Sequence, residues 1–182
     1  MYENYLIVDL EATCCDKKTF PTTEMETIEI GAVMVNAETF AVIDEFNTFI
    51  KPVRHPILTN FCTQLTSIRQ EDVDNAPKYP EAIALFKQWL YQYSNFLFCS
   101  WGDYDRMQIE QDSRFHKVPF PIGANHLNIK VKFSEKQLIK KKLGMAQALA
   151  ACGLELSGTH HRGIDDARNM AKLVPYIFDK PA

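Results

Sequence analysis

The sequence predicts one α/β domain, residues 1–182, with a mixed central sheet that begins as an antiparallel meander and continues with parallel strands, covered by helices on both faces. Three observations predict this class. Three strand-like segments lie in the first 50 residues, helical periodicity dominates from residue 80 onward, and an apolar, strand-like run interrupts the helices at residues 96–100. With 182 residues, 46% of them hydrophobic, the chain can bury a core without disulfides or a structural metal.

The first strand is predicted at residues 5–10, where a short β-branched run opens the chain. A polar loop through Lys17 and Lys18 follows it. Residues 26–35 and 42–50 form the next two strand-like segments. The residues between these two segments predict an antiparallel hairpin with a medium loop.

Helical segments make up most of the second half of the chain. Residues 80–93 carry apolar side chains at i, i+3, i+4 and i+7, which is typical of a helix packed on a sheet. Residues 127–133 fit either a strand or a short helix. Three further helices are predicted, at about 103–115, at 145–152 ended by Gly153, and at 165–178 with an interruption at Pro175.

Charge and composition exclude several classes of protein. Lys plus Arg number 20 and Asp plus Glu 23, and the formal net charge of −3 argues against a generic basic nucleic-acid coat protein. The N-terminal segment lacks the pattern of a signal or transit peptide, and no window approaches the ~18 consecutive apolar residues of a membrane helix. The five scattered cysteines favour a reducing compartment. We therefore expect a cytoplasmic protein with no membrane partner.

Two acidic residues end the first predicted strand. Asp9 and Glu11 are two positions apart, and because strand side chains alternate, both carboxylates emerge on the same face. Like charges at the mouth of a buried strand repel, and a hard divalent cation with oxygen ligands would offset that cost. The alternative is that both are simply solvated at a strand end.

A second acidic feature lies in residues 160–174. At ~100° per residue, Asp166 shares a helical stripe with Met170, so its carboxylate points inward with the apolar face. Asp165 lies on the other side, where an N-cap or first-turn carboxylate stabilises a helix. His161 lies in the preceding loop and can approach the same place, and an imidazole is a suitable general base near neutral pH.

A third acidic feature occupies the strand-to-helix junction at residues 100–106. Asp103 and Asp105 both lie at this junction, and either could cap the helix that follows. Periodicity does not choose between them, because the following helix is polar on several sides.

Three motifs carry a family resemblance. They are Asp9-Leu-Glu-Ala-Thr-Cys14, Trp101-Gly-Asp-Tyr-Asp105 and His161-Arg-Gly-Ile-Asp-Asp166. In order and spacing they resemble the exonuclease motifs of the DEDDh family of 3′–5′ exonucleases. The form of the first motif is most similar to the Eri-type branch, which is 3′ histone-mRNA exonuclease-like. The resemblance spans nearly the whole chain and implies an RNase H-like fold and a phosphodiester hydrolase that releases nucleoside 5′-monophosphates.

The resemblance also implies roles for five residues. By position, the family's four metal-binding acids fall on Asp9, Glu11, Asp105 and Asp166, and its catalytic histidine falls on His161. Two divalent cations, Mg²⁺ or Mn²⁺, are the implied cofactors, since carboxylate clusters suit hard cations. In that scheme Asp9 bridges both ions and His161 deprotonates the attacking water.

The implied partner is a single-stranded 3′ end of RNA or DNA. Thr13 and the neighbouring backbone at Ala12 would lie by the terminal sugar. In Eri-like relatives the residues that match Phe61 and Leu65, i and i+4 on a short predicted helix, sandwich the last base together with the match to Tyr104. The alternative is that all three side chains are core residues.

Two further alternatives stay open. The basic cluster of Lys130, Lys132, Lys136 and residues 140–142 fits either a phosphate track or an ordinary solvated surface. The same fold could also serve a catalytically idle nucleic-acid end-binding module or a polymerase-associated proofreading exonuclease. The intact acids and histidine disfavour an idle module, because converging buried carboxylates are costly.

Overall fold

The computed structural model describes residues 2–16 and 19–179, so Lys17 and Lys18 of the expected polar loop lie outside the described residues. Its strands form one mixed sheet in the order β3-β2-β1-β4-β5. The first three strands pair antiparallel, whereas β1 pairs with β4, and β4 with β5, in parallel. The expected sheet is confirmed. The strands are β1 (Asn4–Ala12), β2 (Thr27–Asn36), β3 (Val42–Phe49), β4 (Phe96–Ser100) and β5 (His126–Asn128).

Seven α-helices lie within the described residues, and they agree with the sequence except in three places. The helices are α1 (Asn60–Thr66), α2 (Gln70–Asp74), α3 (Tyr79–Leu90), α4 (Tyr104–His116), α5 (Ile129–Lys136), α6 (Met145–Ala151) and α7 (Gly163–Ile177). First, α2 was not anticipated, because five residues are too short to show a helical period. Second, the ambiguous segment 127–133 is both a strand end and a helix start, since β5 runs directly into α5.

Third, the expected interruption at Pro175 is wrong. Helix α7 starts at Gly163, earlier than predicted, and continues through Pro175 to Ile177. A proline so close to the carboxyl end removes only a backbone hydrogen bond of the last turns, so the helix need not break there.

Each face of the sheet carries its own hydrophobic core. On β1, alternate side chains point to opposite faces, so Val8 packs with Phe86 of α3 while Ile7 packs with Met170 of α7. Helices therefore cover both faces, as expected. None of the helices in the described part of the chain is long and apolar enough to cross a membrane.

Helix α7 starts in direct contact with the middle of the sheet. Gly31 of β2 pairs with Asp9 of β1, and a Cβ atom at Gly31 would lie 2.1 Å from the carbonyl carbon of Gly163. Only a residue without a side chain permits this approach. The first turn of α7, which carries Asp166, is thereby held beside β1.

Candidate active site

A depression of about 310 Å³ lies beside the carboxyl-terminal ends of β1 and β4. In open α/β sheets this edge is where ligands bind. Its polar lining combines residues from β1, α4, α7 and the loop before α7. They are Asp9, Glu11, Asp105, Asp166, His160 and His161.

Three carboxylates meet in this depression. Asp9 and Glu11 of β1 and Asp166 of α7 each contribute an oxygen, and these oxygens all lie within 4.8 Å of one another. Metal–oxygen distances of roughly 2.0–2.6 Å mean that oxygens at this spacing can share a divalent cation. Strand alternation brings the first two together, and the contact between α7 and the sheet supplies the third.

Asp105 joins the cluster through a hydrogen bond from the strand. The backbone N–H of Leu10 donates to Asp105 Oδ1 at 3.0 Å, which holds this buried carboxylate against β1 at the residue between Asp9 and Glu11. Asp103, the alternative, occupies the N-cap position of α4 without a capping hydrogen bond. Its exposed carboxylate instead accepts a hydrogen bond from Asn128 Nδ2 at 3.0 Å.

Asp166 is held by one oxygen only. The backbone N–H of His161 donates to Asp166 Oδ2 at 3.0 Å, whereas the buried Oδ1 has no hydrogen-bond partner among the described residues. An unpaired buried carboxylate oxygen is costly, so this atom fits a cation ligand. Asp165 is engaged elsewhere, because it accepts hydrogen bonds from the Thr159 amide and from Arg168.

Burial raises the pKa of every acid in the cluster, and repulsion between the acids adds to this effect at Asp9 and Glu11. Burial first, then Asp105, Glu11 and Asp166, raise the pKa of Asp9 well above its usual value. Burial, followed by repulsion from Asp166, raises the pKa of Glu11 to about 8. Burial raises the pKa of Asp105 to about 7. Burial also raises the pKa of Asp166, against the His161 hydrogen bond. A bound divalent cation would reverse this, because it favours the charged carboxylates.

Two histidines stand at the entrance. The rings of His160 and His161 stack with centroids 4.0 Å apart, and His161 has a left-handed backbone, with φ of 62°. Burial and the neighbouring His160 lower the pKa of His161. His160 Nε2 lies 3.8 Å from Asp166 Oδ2, so the structure adds a residue to which the sequence had assigned no catalytic role.

The residues expected to stack on a base are on the surface. Phe61 is 37% exposed, Leu65 38% and Tyr104 47%, so the alternative that all three are core residues is wrong. Thr13 is buried, and its hydroxyl oxygen accepts a hydrogen bond from the Glu26 amide at 3.0 Å. Tyr104 lines the depression, whereas Phe61, Leu65 and Thr13 are not among the described residues that line it.

The basic cluster is only partly available to a ligand. Lys136 of α5 pairs with Asp179, so one positive charge of the cluster is neutralised. Lys132 and residues 140–142 are exposed on the surface. This exposure fits both a phosphate track and an ordinary solvated surface.

A buried ion pair beside the cluster was missed by sequence reasoning. Glu29 is fully buried on β2, next to Glu11 in the strand register, and pairs with Arg162 from the histidine loop. A glutamate inside the apolar run of residues 27–35 was the available signal, since buried charges need partners.

Comparison with known proteins decides the family. The model of the exonuclease family of RNase T type matches residues 6–174, which is most of the chain. The chain belongs to this exonuclease family. The carboxylates and histidines described above therefore lie in a domain related to nucleases, and the resemblance to Eri-type DEDDh exonucleases is confirmed.

Two curated relatives and one solved structure illustrate the similarity of this exonuclease domain. ERI1 exoribonuclease 2 of Mus musculus is 29% identical over 95% of this chain, which spans 28% of that protein. The 3′-5′ exonuclease Snipper of Drosophila melanogaster is 32% identical over 95% of this chain and 68% of its own length. The nuclease domain of 3′hExo, a DEDDh family member bound to rAMP, is 25% identical with a TM-score of 0.83, over 96% of this chain and 90% of that one.

The RNase H-like fold is confirmed by this structural similarity. Membership of the DEDDh class implies divalent metal ions, and the unpartnered Oδ1 of Asp166, with the carboxylate oxygens of Asp9 and Glu11 beside it, fits them.

Proposed function

We propose that this domain is a metal-dependent 3′–5′ exonuclease that releases nucleoside 5′-monophosphates from single-stranded 3′ ends. The observation that carries the proposal is the meeting of Asp9 and Glu11 of β1 with Asp166 of α7, whose buried Oδ1 has no partner in the described chain. Without a cation this arrangement is destabilising, which argues against a purely structural role.

The four acids would hold two divalent cations, Mg²⁺ or Mn²⁺. When bound, the cations supply the positive charge that offsets the charge developing on the phosphate and on the leaving 3′ oxygen. Asp9 is central in this assignment, because Asp105, Glu11 and Asp166 all contribute to raising its pKa. The acidic net charge of the chain is consistent with phosphate neutralisation by metal rather than by lysines.

His161 would act as the general base. Its lowered pKa keeps the imidazole neutral at physiological pH, so that a ring nitrogen can accept the proton of the attacking water. Its position beside Asp166 follows from the hydrogen bond between the two residues.

The terminal nucleotide would bind between exposed apolar side chains. Phe61 and Leu65 share a face of α1, and Tyr104 opens α4, so the three can stack on a base without regard to its identity. Thr13, with the backbone of Ala12, would lie by the terminal sugar. Relatives named exoribonuclease and the rAMP bound by the 3′hExo nuclease domain support an RNA end as substrate.

The test is cleavage of a 5′-labelled single-stranded oligonucleotide in Mn²⁺, in Mg²⁺ and in chelator. We expect a ladder of products that shorten from the 3′ end, nucleoside 5′-monophosphate as the released product, and no reaction in chelator. Asp105→Asn and Asp166→Asn should abolish release. The matched controls are Asp103→Asn and Asp165→Asn, which remove the adjacent carboxylates and should retain it.

Two outcomes would contradict the proposal. Binding of the oligonucleotide without release under any of these metals would identify an idle end-binding module. Release that requires a co-purified polymerase would identify a proofreading subunit.

A further inference from the structure

A second depression, about 730 Å³ in volume, adjoins the candidate active site. It runs along α4, and we call it the α4 groove. Its lining includes Arg54, Tyr104, Met107, Glu110, Arg114 and Phe115. Tyr104 lines both depressions, so the groove and the active site form one continuous surface. The volume lies within the roughly 300–1,000 Å³ of pockets that bind drug-sized ligands.

The groove exposes apolar and flat side chains. Met107 is 63% exposed and Phe115 is 42% exposed, so both side chains are accessible to a ligand. The guanidinium of Arg54 lies 3.5 Å from the centroid of the Phe115 ring, and this stacking presents a planar cation. Nucleobases stack on surfaces of this kind.

The groove also has a surplus of positive charge. Arg54 and Arg114 line it with one acid, Glu110, which already pairs with Arg106 at 3.1 Å and with Arg114 at 3.8 Å. The active site beside it is strongly acidic, and the chain as a whole is negative. A phosphodiester backbone that leaves the active site past Tyr104 therefore meets positive charge here.

We propose that the α4 groove binds the nucleotides that precede the 3′-terminal nucleotide of a single-stranded substrate. The inference rests on the proposed exonuclease function, because that function places the strand end on the active-site side of Tyr104. Met107 and the Arg54–Phe115 stack contact bases, and Arg54 and Arg114 contact phosphates. The groove thus determines a preference for longer strands over short ones.

The test compares two substrates of different length, only one of which is long enough to enter the groove. Thymidine 5′-monophosphate p-nitrophenyl ester occupies the terminal-nucleotide site, whereas an oligonucleotide of about ten nucleotides also spans the groove. We expect Met107→Glu and Arg114→Glu to raise KM for the oligonucleotide about fivefold to twentyfold more than KM for the ester. Arg114→Glu should in addition reduce the dependence of KM on salt, because it removes a phosphate contact.

Matched controls lie on α3, outside the groove. Leu85→Glu adds a charge at an exposed apolar position, and Lys87→Glu reverses a charge, and both should leave the KM ratio of the two substrates at the wild-type value. Equal effects of the groove variants on both substrates, or no effect on either, would overturn the proposal.

Failure of the proposed function is a separate result. A wild-type protein that hydrolyses neither substrate in Mn²⁺ or Mg²⁺ contradicts the exonuclease. Binding of a labelled oligonucleotide in chelator, measured by fluorescence anisotropy, then tests the groove. Met107→Glu and Arg114→Glu should weaken this binding. Unchanged binding in both variants would overturn the groove as well.

Discussion

Arg162 donates hydrogen bonds from Nε and Nη2 to the two carboxylate oxygens of the fully buried Glu29, at 3.0 and 3.3 Å. Glu29 also accepts a hydrogen bond from the Gly163 amide at 3.0 Å. The pair ties the loop that carries His161 to the middle of β2, beside the strand position of Glu11. It therefore anchors the loop that carries His161, the proposed general base.

Glu29→Gln should weaken both stability and turnover. It leaves the partly buried guanidinium of Arg162 without its hydrogen-bonded counter-charge, so we expect the free energy of unfolding to fall by about 1–3 kcal/mol. The loop before α7 loses its anchor, and kcat should fall about tenfold to a hundredfold with little change in KM. Urea unfolding and steady-state kinetics measure the two effects.

The double variant Glu29→Gln/Arg162→Met separates positioning from stability. Removal of both charges should restore most of the stability but not kcat. A double variant that regains turnover together with stability would mean that Glu29 is merely structural. Glu45→Gln is the matched control, because it breaks the exposed Arg168–Glu45 pair and should cost no more than about 1 kcal/mol.

Asp9→Asn should stabilise the metal-free protein while abolishing metal-dependent cleavage. Asp9 is repelled by Asp105, Glu11 and Asp166, and a neutral amide removes that repulsion. Thermal unfolding in chelator and calorimetric titration with Mn²⁺ test both halves of the prediction. A marked loss of thermal stability in chelator would refute the repulsion argument.

The metal-free protein should become less stable as the pH rises. The folded-state pKa of Glu11 is raised to about 8 and that of Asp105 to about 7, against about 4 in the unfolded chain. Between these values the folded state binds more protons than the unfolded state, so the free energy of unfolding decreases with increasing pH. We expect Tm in chelator to fall between about pH 5 and pH 8, and saturating Mn²⁺ to remove the decline. Glu11→Gln should flatten the slope, and an unchanged slope in that variant would assign the decline to other groups.

The sequence predicts those parts of the fold and site in which local pattern and burial agree. Strand alternation puts Asp9 and Glu11 on one face, and the apolar stripe of α7 turns Asp166 inward; both relationships depend only on neighbouring residues. The change from antiparallel to parallel pairing follows from the same patterns, since a hairpin precedes the helical crossovers.

Relationships between distant segments could not be predicted from pattern. The Leu10 amide selects Asp105 rather than Asp103, and no periodicity encodes a hydrogen bond between residues 95 positions apart. Glu29 and Arg162 are 133 positions apart, so a charge in an apolar strand signals a partner without identifying it.

His161→Ala should lower kcat by about a hundredfold to ten-thousandfold while metal binding is retained. The imidazole is the proposed proton acceptor, and the carboxylates that hold the cations remain. Because burial and His160 lower the pKa of His161, the acid limb of the wild-type kcat profile should lie below the pH range of an ordinary histidine. His160→Ala, which removes the stacked neighbour, should reduce kcat far less. Near-wild-type turnover of His161→Ala at neutral pH would exclude the general-base role.

Phe61→Ala should weaken substrate binding without weakening the fold. The side chain is exposed, so its truncation should change the free energy of unfolding by no more than about 0.5 kcal/mol. Loss of a stacking partner costs about 1–3 kcal/mol per base, which corresponds to a rise in KM of roughly fivefold to 150-fold. Ile57→Ala is the matched control, because Ile57 is exposed just before α1 and has no proposed contact with the base. If KM for the p-nitrophenyl ester rises equally in both variants, general loss of apolar surface rather than base stacking explains the effect. If KM rises in Phe61→Ala alone, the terminal base lies against α1.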